Sequence, residues 1–297
     1  MRSDFPLYSG KYWGENMKAI PELEKLFEEV GTYRSSTDYK ELLSFVKKFR
    51  HMAPYNAMLL HVQKPGSVYV ASASDWQNRF ERHPKLGARP LVILRPFGPV
   101  SFVYELSDTE GKAFPKKLEE PFLASGEITN QRIEVIRRSM YYEGIATVEQ
   151  DYATTLAGNI RAIHDTGEFK AANTSKIFKL IFGMVLNKNI PNTSKLATIF
   201  HELGHAFCGH LYQPDAKWLP QRYGLTDNEE EFEAESACWL LCERLGIDNP
   251  SAEYLSGYLN NNSEIPNISI DAVLKAVGMV ERILGGINSP KKELIIK

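Results

Sequence analysis

The first third of the chain changes from helical to strand-like spacing of its apolar residues. Apolar side chains recur every three or four residues in three segments, which predicts helices at 17–30, 38–49 and 55–61. Three shorter segments are rich in β-branched and aromatic residues, which predicts strands at 67–71, 90–95 and 100–106. The DTEG sequence at 108–111 indicates a turn after the last strand. The pattern therefore predicts an N-terminal α+β domain with a small sheet.

A change in composition separates this domain from the rest of the chain. Residues 107–130 mix charged residues with Pro115, Pro121 and Gly126, and such a mixture is typical of a linker. We therefore expect one domain at 1–125 and a second at 126–297. In the second domain the spacing predicts helices at 131–141 and 271–284, strands at 145–149 and 154–163, and a long apolar strand at 176–186. The expected architecture is again α+β, with a small sheet packed on helices.

Two histidines lie four residues apart in the motif HELGH at 201–205. Apolar residues on both sides recur at helical spacing, so the motif falls inside a helix. The candidates for the N-cap of this helix follow Pro191 and are Asn192, Thr193 and Ser194. Side chains at i and i+4 are neighbours on a helix, so His201 and His205 can bind one metal ion while Glu202 faces the same cleft. The alternative is a helix with two incidental histidines.

A catalytic zinc ion takes three protein ligands and keeps one position for water, so the two histidines need a partner. A second predicted helix contains the segment EEEFEAES, in which Glu231, Ala234 and Glu235 share one stripe. We predict Glu231 as the third ligand. Glu235, one turn later, is predicted to hydrogen-bond the free ring nitrogen of a ligating histidine. The alternative for this acidic run is a solvated helix start, favoured by the helix dipole.

The neighbouring residues limit the other choices of ligand. His210 is one residue out of register for a zinc pattern with three histidines. On the second helix, the faces away from the predicted site are expected to carry Glu229, Glu230 and Glu233. Gly204 and Ala234 are small, so the two helices can approach closely enough to share an ion.

These parts predict a hydrolytic centre with one Zn²⁺ per chain. Zinc lowers the pKa of bound water to about 7 and polarises a carbonyl group, and Glu202 is the expected base that accepts the proton of the water. Tyr254 and Tyr258 are candidates for stabilising an oxyanion, with ordinary packing as the alternative. An extended peptide substrate could pair with a free edge of the strand at 176–186, unless that strand is central in its sheet.

The two motif segments resemble a known family. HELGHAFCGH, followed by EEFEAESACWLLCERLGI and EYLSGYL, is similar to the zinc-binding half of ImmA/IrrE-type metallopeptidases, especially the version found in ArdC-like antirestriction proteins. The resemblance implies a zincin-like metallopeptidase domain at 126–297. It also implies that His201, His205 and Glu231 bind the metal and that Glu202 is the base.

The resemblance extends upstream of the linker. APYNAMLLHVQKPGSVYVASASDWQNRF, followed by LGARPLVILRPF, is similar to the ArdC-type N-terminal domain, which implies binding of single-stranded DNA at 1–125. Tyr55 and Asn56 lie in this stretch and are expected nucleic-acid contacts. The sequence HPKLGARP replaces the lysine-glycine-glutamate turn that is usual there.

The same region concentrates positive charge between aromatic residues. Phosphates attract cations and bases stack on rings, so this pattern is typical of a groove for single strands. The predicted contacts besides Tyr55 and Asn56 are Trp76, Arg79, Arg82, Lys85, Arg89 and Arg95. The alternative is a solvated rim around a small core that contains Trp76 and Phe80.

Composition places the chain among ordinary globular enzymes. Its 297 residues are 43% hydrophobic and 24% charged, with a formal net charge of −2, so the chain can bury a sizeable core. No apolar run is long enough for a membrane span and the first residues lack a signal-peptide pattern, so we expect a cytoplasmic protein without a membrane partner. The three cysteines are expected to be small buried residues in a reducing compartment. Composition does not predict the oligomeric state.

Three functional hypotheses follow. The first is a zinc metallo-endopeptidase, acting on a peptide or protein and coupled to a domain that binds single-stranded DNA, in antirestriction or in the regulation of mobile elements or stress. The second is a single-stranded-DNA-binding antirestriction protein whose metal domain is structural. The third is a regulatory protease that cleaves a transcriptional repressor.

Overall fold

The computed structural model describes residues 36–49, 52–95, 98–115, 128–151, 157–164, 168–170, 177–247, 255 and 265–296. The chain divides into two compact units, one formed by Met1–Leu123 with Asn262–Glu264 and the other by Ala124–Asn261 with Ile265–Lys297. The helix predicted at 17–30 and both tyrosines considered for the oxyanion, Tyr254 and Tyr258, lie outside the described residues.

The first unit combines short helices with short strands. Its helices are α1 (Ser36–Lys48), α2 (Pro54–Gln63) and α3 (Ala73–Phe80), and its strands are β1 (Val70–Ala71), β2 (Arg82–Pro84), β3 (Leu91–Arg95), β4 (Gly98–Glu105) and β5 (Thr109–Gly111). Spacing did not predict α3, although Ser72 caps it by accepting a hydrogen bond from the Asp75 backbone.

Antiparallel pairing organises these strands into two small sheets. Strand β4 is central in the order β1-β4-β3, and β2 pairs with β5. The predicted turn at 108–111 is therefore wrong, because residues 109–111 form β5 and pair with Arg82–Pro84. Gly111 has a φ of +133°, and a Cβ there would lie 2.5 Å from the Glu81 carbonyl oxygen. Only glycine allows the two strands to approach in this way.

An aromatic cluster fills the core beside β4. Trp76 is completely buried, and its indole N–H donates to the Tyr104 carbonyl at 2.8 Å. Its ring lies 5.3–5.6 Å from the rings of Tyr69, Phe80 and Phe114, measured between centroids. Offset aromatic contacts of this kind stabilise a core beyond the burial of area alone.

The second unit combines a mixed sheet with four helices among its described residues. The helices are α4 (Asn130–Tyr142), α5 (Asn192–Cys208), α6 (Asp227–Leu245) and α7 (Ile270–Leu284), and the strands are β6 (Ile145–Gln150), β7 (Gly158–Ala162), β8 (Glu168–Lys170), β9 (Ile177–Lys179) and β10 (Phe182–Asn187). Helix α5 contacts β7 and β10, and it also contacts α6 and α7. The α+β class predicted for the chain is therefore confirmed.

The apolar segment at 176–186 forms two strands where one was predicted. Strand β9 pairs with β8, whereas β10 lies between β6, to which it is parallel, and β7, to which it is antiparallel. Leu180 and Ile181 separate the two strands. The Ile181 N–H donates to the Gly144 carbonyl, and its carbonyl accepts from the Ile163 N–H and the Gln213 side chain. Strand β10 is thus central and offers no free edge to a peptide.

Local signals fix the ends of the two long helices that carry the predicted ligands. Thr226 and Glu229 form a capping box at the start of α6, and Gly246 ends it with a φ of +69°. The N-cap of α5 is Pro191, so the prediction of a polar cap among Asn192, Thr193 and Ser194 is wrong. The side chain of Asn192 donates to Ile128 and Asn130 instead. No helix within the described ranges has both the length and the apolarity to cross a bilayer.

Candidate metal centre

The residues predicted as metal ligands come together where α5 meets α6. The Nε2 atoms of His201 and His205 lie 3.1 Å apart. The carboxylate oxygens of Glu231 lie 3.5 Å from the His201 Nε2 and 3.4 Å from the His205 Nε2. The ligand atoms of all three side chains lie within 4.8 Å of one another. Two residues one turn apart on α5 and one residue of α6 therefore converge on a single point.

The close approach of the two helices makes this convergence geometrically accessible. A Cβ on Gly204 would lie 3.0 Å from the Ala234 Cα and 3.4 Å from the Ala234 Cβ. Any side chain at position 204 would therefore push α6 away from α5. The small residues in the two motifs act as predicted from the sequence, because they bring the carboxylate of Glu231 to the imidazoles.

The separations between the ligand atoms match the dimensions of a zinc site. With bonds of about 2.0–2.2 Å in a tetrahedral arrangement, neighbouring ligand atoms lie about 3.3–3.6 Å apart. The three separations in the structure are 3.1, 3.4 and 3.5 Å, so two lie in this range and one is slightly shorter. Two imidazoles and a carboxylate are also a ligand set that zinc accepts in hydrolytic enzymes. The residues present therefore fit a zinc ion.

The same site is open to solvent on the side of the carboxylate. The Glu231 side chain is 47% exposed, whereas those of His201 and His205 are 22% and 13% exposed. Structural zinc sites are closed by four protein ligands, and catalytic sites have three protein ligands and an accessible fourth position. The candidate site has three ligands among the described residues, and one of them is half exposed.

Glu235 lies where the sequence predicts it, behind the first histidine. Its carboxylate oxygen is 3.2 Å from the His201 Nδ1, on the opposite side of the ring from the Nε2 that faces Glu231. Burial lowers the pKa of His201, but the hydrogen bond to Glu235 and the charges of Glu235, Glu202 and Glu231 raise it to about 9. The contact gives the Nδ1–H of His201 a carboxylate acceptor, so a metal ion would replace the proton on Nε2.

The second histidine has a different electrostatic environment. Burial, together with the neighbouring His201 and His210, lowers the pKa of His205 to about 3. Its imidazole is therefore neutral, which is the form that binds a metal ion. The paired histidines share one face of α5, yet only His201 has a carboxylate directly behind it.

Glu202 lies on α5, and its side chain contacts the backbone of strand β7. Burial raises the pKa of its carboxyl group, while the neighbouring His201 and a hydrogen bond with the Ile160 backbone act in the opposite direction. A carboxylate whose pKa is shifted towards neutrality is a better general base at physiological pH. The backbone of β7 therefore holds the predicted base beside the candidate metal ligands.

Two residues that the sequence did not assign to the site lie behind His205. The Nδ1 of His210 is 3.0 Å from the His205 Nδ1, and the Nε2 of His210 is 2.9 Å from a Glu233 oxygen. Glu233 is completely buried on another face of α6 than Glu231, so the alternative of a solvated acidic helix start does not hold for this residue. It also accepts hydrogen bonds from Arg222 and from the Ser269 N–H.

A sequence signal for this buried glutamate does exist. Ala237 and Leu240 follow Glu233 at intervals of four and three residues, and all three are buried. They form a second buried stripe on α6 because both α5 and α7 cover this helix. The contact between Arg222 and Glu233 could not be predicted, because Arg222 lies in an irregular connection between α5 and α6.

The predicted nucleic-acid residues in the first unit fall into two groups. Three are buried: Tyr55 and Trp76 lie in the core, and Asn56 exchanges two hydrogen bonds with the Leu94 backbone. The indole of Trp76 has no exposed face on which a base could stack. The structure agrees with the alternative interpretation, in which Trp76 and Phe80 belong to a small core.

The cationic residues of that region also divide into two sets. Arg82 holds β5 in place through Thr109 and Lys112, and the Lys85 ammonium donates to the Ser107 carbonyl. Of these predicted contacts, Arg79, Lys85, Arg89 and Arg95 are exposed, and Arg82 is half-buried. The sequence did not single out Phe102 on β4, whose side chain is 56% exposed.

Comparison with known proteins gives one structural similarity. No family model matches the chain, and no curated protein matches it. Among solved structures, the chain is similar to the antirestriction ArdC protein from the R388 plasmid, in a metal-free crystal structure. The similarity has a TM-score of 0.31 and 16% sequence identity, and it covers 77% of this chain and 81% of that one.

Proposed function

We propose that the chain is a zinc-dependent metallopeptidase that hydrolyses peptide bonds with a water molecule activated by Glu202. The observation that carries this proposal is the convergence of His201, His205 and Glu231 at the separations of tetrahedral ligands. The exposed Glu231 carboxylate supports a catalytic centre over a structural one, because a structural ion is enclosed by its ligands.

The side chains around the ligands have different roles in the proposed reaction. Bound zinc supplies an acidified water and polarises the substrate carbonyl. Glu202, which Ile160 holds by a backbone hydrogen bond, accepts the proton of the water and can pass it to the leaving amine. Glu235 keeps the His201 ring oriented with Nε2 towards the ion.

Strand β7 is the best candidate for holding an extended peptide. Its inner edge pairs with β10, with Gly158 opposite Leu186 and Ala162 opposite Phe182. Among the described strands, none pairs with its outer edge. Ile160 lies on β7, and its backbone forms a hydrogen bond with the side chain of Glu202. A peptide added to this edge would therefore run past the proposed base.

The decisive experiment measures metal content and cleavage in the same preparations. The purified full chain is expected to contain about one zinc per molecule and to cleave members of a peptide library. Glu202→Gln is expected to keep its zinc and to lose cleavage by a factor of about 10²–10⁴, since it removes only the base. His201→Ala is the matched control that loses both. Zinc far below one per chain in the wild type would contradict the proposal.

A second candidate function has its own supporting observation. Exposed Arg79, Arg89 and Arg95, with exposed Phe102, provide charge and one ring for a single strand of DNA. On this alternative the chain is an antirestriction protein that binds single-stranded DNA, and its metal is structural.

A gel shift on single-stranded DNA at several salt concentrations tests this alternative. Each of Arg79→Ala, Arg89→Ala and Arg95→Ala is expected to weaken binding and to reduce its dependence on salt. Lys40→Ala removes an exposed cation from α1 and is the control. Binding that is indifferent to all three arginines would contradict the alternative, and cleavage by the same preparation would show that the metal is more than structural.

A further inference from the structure

A chain of polar contacts leads from the back of His205 into the interior of the second unit. The His205 Nδ1 lies 3.0 Å from the His210 Nδ1, and the His210 Nε2 lies 2.9 Å from Glu233. Glu233 accepts a further hydrogen bond from Arg222 at 2.8 Å and one from the Ser269 N–H at 2.6 Å. The side chains of His210 and Glu233 are fully buried. These side chains are therefore connected by direct hydrogen bonds, and no bridging water molecule is needed.

The direction of each hydrogen bond in this chain follows from its two ends. Glu233 receives Arg222 and Ser269, so it is a carboxylate that only accepts. His210 must then carry a proton on Nε2 and donate it to Glu233. In the His210 tautomer with its proton on Nε2, the Nδ1 atom carries the lone pair and accepts from the Nδ1–H of His205. The lone pair of His205 is consequently left on Nε2, the atom that faces His201 and Glu231.

The backbone at position 209 makes this arrangement accessible. Gly209 ends α5 with a φ of +85°, and a side chain there would collide with the Pro220 backbone. The chain turns sharply, so the next residue comes back against the last turn of the helix, where the His210 N–H donates to the His205 carbonyl. His210 is therefore fixed by both its backbone and its ring.

A gain in stability does not by itself explain the Arg222–Glu233 ion pair. Burial of an arginine–carboxylate pair has a desolvation cost that its attraction often fails to exceed, and apolar residues of similar volume serve as well or better. An apolar pair, however, cannot determine which nitrogen of His210 carries the proton. The pair Arg222–Glu233 does so, because it keeps the carboxylate ionised and turned towards the His210 Nε2.

We propose that His210 and Glu233 are positioning residues that fix the ring and tautomer of His205 for metal binding. Glu233 then orients His205 indirectly, through His210, whereas Glu235 orients His201 by direct contact. The inference rests on the proposed zinc site, and it adds a part of that site that is absent from the ligand motif. Loss of a group behind a ligating histidine typically weakens metal binding 10- to 100-fold.

The test compares metal affinity in two variants of His210. His210→Leu fills the space and removes both hydrogen bonds while leaving Arg222 and Ser269 on Glu233. His210→Asn keeps an acceptor near the former Nδ1 but is too short to reach Glu233. Zinc affinity is measured by competition with a chelator, and the visible absorption of the Co²⁺-loaded protein reports the ligand geometry. We expect a 10- to 100-fold loss of affinity in His210→Leu, a smaller loss in His210→Asn, and an altered Co²⁺ spectrum in both.

A matched control separates positioning from general destabilisation. Glu143 is another buried carboxylate of the same unit, paired with Arg282 and Lys291. Glu143→Gln should lower the melting temperature without changing zinc affinity or the Co²⁺ spectrum. Should His210→Leu fail to fold, His210→Asn carries the comparison with this control.

The possible outcomes assign failure to one proposal or the other. A wild-type chain that binds neither Zn²⁺ nor Co²⁺ would overturn the proposed zinc site and this inference with it. A wild-type chain that binds zinc, with His210 variants of unchanged affinity and spectrum, would overturn the inference alone. A loss no larger than that of Glu143→Gln would also overturn it.

Discussion

The two units use their polar residues in opposite ways. In the second unit, the two histidines and the one glutamate predicted as ligands converge within 4.8 Å, and further polar residues lie behind them. In the first unit, Asn56, Trp76 and Arg82 were predicted to contact nucleic acid, and all three hold the fold together. A motif with fixed spacing thus predicts a site, whereas a mixture of aromatic and basic residues fits a core and its rim equally well.

Truncating the central tryptophan tests this contrast with the largest expected change in stability. Trp76→Ala removes a fully buried indole and its hydrogen bond to Tyr104, so the first unit should lose about 3–5 kcal/mol of stability. Urea denaturation, with hydrogen exchange to identify the unit, measures the loss. Zinc affinity in the second unit should not change.

The exposed Phe102 is the matched control for that experiment. Phe102→Ala lies on the surface of the same unit and should change stability by no more than about 0.5 kcal/mol. If Trp76→Ala were as mild as Phe102→Ala and nevertheless abolished binding of single-stranded DNA, Trp76 would be a stacking residue and the contrast between the units would disappear.

The direct carboxylate behind His201 provides the next test, at the metal centre. Glu235→Leu removes the partner of the His201 Nδ1 and should weaken zinc binding about 10- to 100-fold. Competition with a chelator measures the change. Glu243→Gln, two turns further along α6, is the control that should keep wild-type affinity. Equal affinity in the Glu235 and Glu243 variants would show that the contact at 3.2 Å does not orient the ligand.

How much of the molecule the sequence predicts depends on how local the determining contacts are. The spacing of His201 and His205 is set within one helix, and the approach of Glu231 is predicted from the small residues Gly204 and Ala234. Contacts with loops are not predictable in this way. Arg222 and Ser269, which make Glu233 a buried carboxylate, come from segments without periodicity.

The strand and helix predictions failed for related reasons. The segment at 176–186 is continuously apolar, so nothing in its pattern marks the break at Ile181, which depends on Gly144 and Gln213 far away in the chain. Helix α3 was missed because only its buried side chains, Trp76 and Phe80, show helical spacing over eight residues. Short elements lack the repeats on which periodicity depends.

The close contact between α5 and α6 provides a test of intermediate size. Gly204→Ala places a methyl group 3.0 Å from the Ala234 Cα, so we expect a loss of about 1–3 kcal/mol and weaker zinc binding as Glu231 moves away. Gly183→Ala is the control, because the nearest atoms there belong to the mobile end of the Ile163 side chain. Unchanged zinc affinity in Gly204→Ala would show that the helix spacing does not determine the ligand geometry.

The smallest expected effect concerns a buried carboxylate of the first unit that serves the fold alone. Burial raises the pKa of Glu105, but hydrogen bonds from Ser107 and the Val68 N–H, with the charge of Lys64, lower it overall below its usual 4.5. The ionised form is therefore favoured by folding. Its contribution to stability is complete above the pKa of the unfolded chain and is lost as the pH falls through the lower pKa of the folded chain.

Glu105→Gln should accordingly lower the stability of the first unit by roughly 1 kcal/mol at neutral pH, because an amide accepts fewer of these hydrogen bonds. Denaturation at a series of pH values should show the gap between variant and wild type closing below pH 4.5. A gap that stayed constant down to strongly acidic pH would mean that Glu105 contributes through packing and not through its charge. In the second unit the buried carboxylate Glu233 is proposed to orient a ligand, so only there should removal of its histidine partner change metal binding as well as stability.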